Sequence, residues 1–227
     1  MEKRYKLVQD LTKGDLLSAY VDAPFDDGLE VLQGNDYRLI SLEENARLRI
    51  QEGYEADISN RVGNWVLEDV IYVPNKGIFL TKVSHIMRNV DKAIKDDKEK
   101  YYIGLTDEQV EECFADCVEL KIKDRLIPTN RFGENEITRY AFGEYAESYG
   151  TFLRDNEIKE MPIEFGSMFY ESYASKGWFK ELMPFEWIRK YNMPPDLFSL
   201  SGMSGLNCGN LGLRCDFIWV RGVRENK

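Results

Sequence analysis

Residues 65–83 read WVLEDVIYVPNKGIFLTKV. β-Branched and aromatic side chains fill 65–73 and 78–83, and Pro74, Asn75, Lys76 and Gly77 between them are turn formers. Two such runs joined by a short turn predict an antiparallel hairpin. Just upstream, residues 41–53 read SLEENARLRIQEG. Ser41 with Glu44 three residues on is a capping box: the serine oxygen accepts from an early helical N–H and the glutamate reaches back. A helix from Leu42 to about Glu52 follows, closed by Gly53. A capped helix beside a hairpin makes the fold class α+β, mixed helices with at least one antiparallel β-hairpin.

Working toward the N-terminus, Tyr5 to Leu17 fits either a strand or a short helix, and Asp26, Asp27, Gly28 and Gly34, Asn35, Asp36 read as turns. Toward the C-terminus, Ser84 to Lys98 has a helical apolar face (Ile86, Met87, Val90, Ile94), followed by a charged surface run. Thr106 opens a second capping box, and Val110, Cys113, Phe114, Cys117 and Val118 repeat at three and four residues, a buried helical stripe. Lys121 to Pro128 fits a strand. Asn135 to Leu153 is the longest helical pattern; Gly143 and Gly150 within it, seven apart, mark a face that something packs against closely, a neighbouring element of the same chain before any ligand. Asp216 to Val223 closes the chain as a strand.

The organisation expected is one domain over 1–227, with a subdivision near 98–106 as the alternative and 165–227 as an aromatic- and glycine-rich C-terminal part. Of the 227 residues 43% are hydrophobic and 31% charged, a globular composition. Forty acids against 30 bases give a net charge of −10, which opposes non-specific binding to nucleic acid or to an anionic leaflet. No run reaches the length of a membrane span and the start has no apolar signal core, so a cytoplasmic protein is expected, with no membrane partner. Its four cysteines, Cys113, Cys117, Cys208 and Cys215, are then reduced thiols; they lack the C-x-x-C spacing that builds zinc knuckles.

Catalytic templates find little. The one histidine, His85, follows Ser84, a helix-cap candidate, and is read as structural or exposed rather than catalytic. Glu119-Leu120-Lys121 fits the D/E-x-K pattern of metal-dependent nucleases, but so do Asp96 to Lys98, Glu157 to Lys159 and Glu225 to Lys227, and Glu119 is expected at a helix end. Gly202-Met203-Ser204-Gly205 has the wrong spacing for a nucleophile elbow. No catalytic residue, metal ligand or cofactor is assigned. Two features point to binding: the acids Glu108, Glu111, Glu112 and Asp116, which can steer a basic partner, and the rings from Phe165 to Tyr191, notably Trp178, Phe179, Trp187 and Tyr191.

The segments LRCDFIWVRGVRE (213–225), TNRFGENEITRYAFGEYAESYGTFLRDNEI (129–158) and VIYVPNKGIFLTK (70–82) resemble uncharacterised phage and prophage proteins. That resemblance implies expression inside a bacterial host and assigns no residue a role. The expectation drawn from both is a non-enzymatic protein-binding or regulatory protein. Its partner has a basic surface, for instance a host defence protein inhibited as anti-CRISPR proteins do. The alternatives are a carboxylate- or metal-dependent hydrolase or nuclease, and a virion structural component.

Overall fold

The hairpin of residues 65–83 is present, as β5 (Asp69–Val73) and β6 (Gly77–Thr81), antiparallel with Asp69 opposite Thr81 and Val73 opposite Gly77. These observations come from a computed structural model that describes residues 5–10, 12–59, 63–73, 77–83, 107–121, 126–164, 180–182, 185–188, 204–207 and 218–225. Trp65 does not belong to the hairpin. It ends β4 (Gly63–Trp65), which pairs in parallel with β13 (Ile218–Glu225), the predicted last strand.

The helix after Ser41 is α2 (Leu42–Glu52), and both arms of the capping box form: Ser41 Oγ accepts from Glu44 N at 3.2 Å while Ser41 N donates to Glu44 Oε2 at 3.1 Å. Gly53 closes it at φ +94°, a conformation that disfavours any residue with a Cβ.

The first forty residues are two strands, β1 (Leu7–Gln9) and β2 (Leu16–Val21), then α1 (Phe25–Gln33) and β3 (Arg38–Leu39). Gly34, Asn35 and Asp36 form the turn expected of them, with Asp36 at φ +63°. Asp26, Asp27 and Gly28 do not; they are the first turn of α1. The reason is tertiary. A Cβ on Gly28 would lie 2.5 Å from Val220 Cγ2, so this glycine lets α1 settle directly onto β13.

A second correction concerns α3 (Asp107–Phe114), which ends before Cys117. Thr81 Oγ1 lies 3.2 Å from Cys113 O and 2.9 Å from Asp116 O, and Tyr140 Oη donates to Asp116 O at 2.7 Å. Side chains from elsewhere in the fold thus supply partners for the Cys113 carbonyl at the helix end and for that of Asp116 just beyond it. The chain swings into β7 (Cys117–Glu119), paired antiparallel with β6. Cys113 is buried and Cys117 half-buried, and Glu119 lies on a strand rather than a helix end. Of the segment Lys121 to Pro128, the strand is β8 (Leu126–Pro128).

The long helix expected over 135–153 is broken. Asn135 caps α4 (Glu136–Phe142) by accepting from Ile137 N and Thr138 N, Gly143 turns the chain at φ +55° through one 3-10 turn, and α5 (Ala146–Asp155) follows. Gly150 is the close-packing position: a Cβ there would sit 2.3 Å from Thr129 O and 2.9 Å from Phe132 Cβ, a contact within the chain itself.

After α5 come β9 (Glu160–Glu164), β10 (Lys180–Leu182), β11 (Phe185–Ile188) and β12 (Ser204–Asn207). The larger sheet runs β1-β2-β13-β4-β11-β12-β9-β8, with β3 also on β13; a smaller one runs β10-β5-β6-β7. The side-chain alternation of β2 and β13 divides the core. Ala19, Val21 and Val220 face α1 with Phe25, Leu29 and Leu32. Leu16 and Val223 face the other way, into a cluster that includes Leu42, Leu48, Phe132, Phe142, Tyr149 and Leu153. Phe142 meets Tyr149 edge-on at 4.9 Å between centroids, a geometry worth about 0.5–1.5 kcal/mol beyond the area buried. The described residues are mixed α+β, and none of their helices is long and apolar enough to cross a membrane.

Candidate functional site

Strand β13 carries a residue that its apolar neighbours do not lead one to expect. Arg221 lies between Val220 and Gly222 with 0% exposure. It shares a sheet face with Asp10, Ser18 and Tyr20 of the β1–β2 hairpin, because Arg221 is opposite Tyr20 in register and Asp10 N donates to Ser18 O. The guanidinium is held on three sides: Nη1 pairs with Asp10 Oδ2 and donates to Ser18 Oγ at 3.0 Å, and Nε donates to Asn64 Oδ1 at 2.8 Å. Ser18 Oγ donates to Asp10 Oδ2 at 2.5 Å, and Asn64 Nδ2 reaches Ile58 O at 3.4 Å. Tyr20 stacks on Trp219 at 3.9 Å and 7°, with the Arg221 guanidinium 5.0 Å from the tyrosine ring centroid. Burial pulls the Arg221 pKa below its ordinary value, opposed by Asp10. A buried cation is tolerable only with such partners.

In front of this ladder lies a cleft of about 370 Å³. Gln9, Asp10, Thr12 and Ser18 of the hairpin form one wall. Leu48 and Glu52 of α2, with Glu55, Ala56, Asp57 and Ile58 of the segment after it, form the other. Asp57 is close enough, with burial the larger cause, to raise the Tyr20 pKa. Sequence reading passed over this site. The available signal was Arg221, a charge at an inward position of an alternating apolar strand.

Of the residues that sequence singled out, Glu108, Glu111 and Glu112 are exposed on α3 and Asp116 is exposed just beyond it. Positions 108, 111 and 112 are three and four apart, so the three glutamates share one helix face. Glu119 is also exposed and pairs with Lys121 at 3.4 Å. Trp187 falls in β11 opposite Gly205, while its side chain, with Trp178, Phe179 and Tyr191, lies outside the described residues. His85, Cys208, Cys215 and the predicted helix over 84–98 lie outside them too. Among the described residues no group of three or more His, Cys, Asp or Glu side chains is placed to hold a metal ion.

No family model matches the chain, and no curated protein matches it. A solved structure from Nanoarchaeota does, described as showing the accommodation of massive sequence variation by the C-type lectin fold. The alignment covers 99% of each chain with a TM-score of 0.60 and 12% sequence identity. At that identity the likeness shows a shared fold.

Proposed function

We propose that this chain is a non-enzymatic binding protein that engages a protein with a basic surface through the acidic face of α3. The observation that carries the reading is the joint exposure of Glu108, Glu111, Glu112 and Asp116. A concentration of one sign of charge steers an oppositely charged partner and raises its rate of encounter. The fold likeness supports a scaffold role. The related structure's fold accommodates massive sequence variation, which requires that stability reside in the interior. Here the Arg221 ladder and the two apolar clusters are buried while Glu108, Glu111, Glu112 and Asp116 are exposed, so surface residues can answer to a partner without unmaking the fold.

An inhibitor of a host defence nuclease, in the manner of anti-CRISPR proteins, is the concrete form this takes if the chain is phage-encoded. The test is capture from bacterial host lysate at low ionic strength, using the native protein and a Glu108→Lys, Glu111→Lys, Glu112→Lys variant. A stoichiometric partner retained by the native protein, lost by the variant and released by salt is the expected result. Recovery of no stoichiometric partner, or equal recovery by both proteins, overturns the reading.

A further inference from the structure

The cleft between the β1–β2 hairpin and the end of α2 is separate from the α3 face and has its own chemistry. Its described lining carries four carboxylates, Asp10, Glu52, Glu55 and Asp57, and two hydroxyls, Thr12 and Ser18, but no lysine or arginine. Leu48, Ala56 and Ile58 supply an apolar wall. Acidity alone would not make this a site. The second observation lies at the hairpin wall, where the Asp10 side chain is only 8% exposed. Arg221 and Ser18 both engage its Oδ2, while Oδ1 has no hydrogen-bond partner among the described residues, and neither has the buried Thr12 Oγ1. Buried polar atoms of this kind are nearly always satisfied, so Asp10 Oδ1 calls for a donor and the Thr12 hydroxyl for a partner beside it.

We infer that the cleft binds an aliphatic chain ending in an ammonium or guanidinium, the chemistry shared by lysine and arginine side chains and free alkylamines. The cation donates to Asp10 Oδ1 and Thr12 Oγ1 and is held electrostatically by Asp57, while its stem lies along Leu48, Ala56 and Ile58. A cavity of about 370 Å³ has room for such a chain. An anion is opposed by the four carboxylates, and a wholly apolar ligand would leave Asp10 Oδ1 unsatisfied.

The test follows backbone amide resonances of Thr12, Ser18 and Asp57 during titration with butylammonium, butylguanidinium, butanol and a blocked Ala-Lys-Ala peptide. Saturable shifts with the two cations and none with butanol are expected. Shifts with the peptide as well assign the cleft to a protein side chain, and their absence assigns it to free amines. Because Asp10 also supports Arg221, the charge test uses Asp57→Asn, expected to weaken cation binding about fivefold, as loss of one partly screened charge does. Ala56→Phe, which fills the cleft, should abolish the shifts. Equal shifts with butanol, no saturable shift with either cation, or unchanged affinity in folded Asp57→Asn overturns the inference. None of these outcomes bears on capture through α3.

Discussion

Replacing Glu68 by glutamine should remove a pH dependence of stability that the native chain carries between pH 4.5 and about 7. Glu68 precedes β5, is 3% exposed, and accepts a hydrogen bond from Leu42 N at 2.9 Å, in the first turn of α2. Burial pushes its carboxyl from the ordinary 4.5 up to about 7. The bonds from Leu42 N and from its own backbone, together with Lys82, pull the other way, and Glu44 adds to the rise. The folded state therefore holds its proton more tightly than the unfolded chain. The associated stabilisation is complete below pH 4.5 and is lost as pH rises through about 7. At about 1.4 kcal/mol per pH unit, that interval amounts to about 3 kcal/mol.

Glutamine keeps an oxygen for the Leu42 N–H and stays neutral throughout. Urea denaturation of both proteins at several values between about pH 4 and pH 8 isolates the effect, since all other titrating groups are common to both. The two should be nearly equally stable at the acid end, with Glu68→Gln more stable by up to about 3 kcal/mol at the alkaline end. Parallel profiles across the window would refute the reasoning, because they would mean that Glu68 ionises as readily in the fold as in the unfolded chain.

Gly150→Ala should cost about 2 kcal/mol despite alanine's better helix propensity, seen as a melting point lower by roughly 4–8 °C. The atom it would strike, Thr129 O, is held by Arg154 Nη1 at 2.7 Å, and Thr129 N is tied to Lys159 O at 2.8 Å. Asp10→Ala should destabilise by about 3–5 kcal/mol by leaving Arg221 buried without its counter-charge. Adding Arg221→Met should restore most of that loss in a double-mutant cycle read by denaturant unfolding.

Much of the local structure was legible because its causes are local. The capping box at Ser41, the Asn135 helix start, the hairpin at 69–81 and the final strand each rest on residues a few positions apart. The close approach at Gly150 was legible as well, since glycine in a helix needs a reason. The misread segments share a different origin. Asp26-Asp27-Gly28 has the composition of a turn yet starts a helix, because Val220, far along the chain, needs the room that Gly28 leaves. The stripe running to Val118 has helical spacing, yet the helix stops at Phe114, where Thr81 meets the Cys113 carbonyl and Tyr140 holds that of Asp116 just beyond the helix end. The acid-lined cleft was invisible for the same reason: Asp10 and Arg221 are 211 residues apart.

By itself the sequence determined the α+β class, the caps and turns, the acidic balance and the exposed acids of α3, all properties of composition or of neighbours within a helical turn or a hairpin. Only the tertiary structure decided the order of strands in the two sheets and the break at Gly143. It also decided which charges would be buried. Those outcomes depend on contacts between distant segments, and burial converts a polar side chain from a surface residue into one that must find a specific partner.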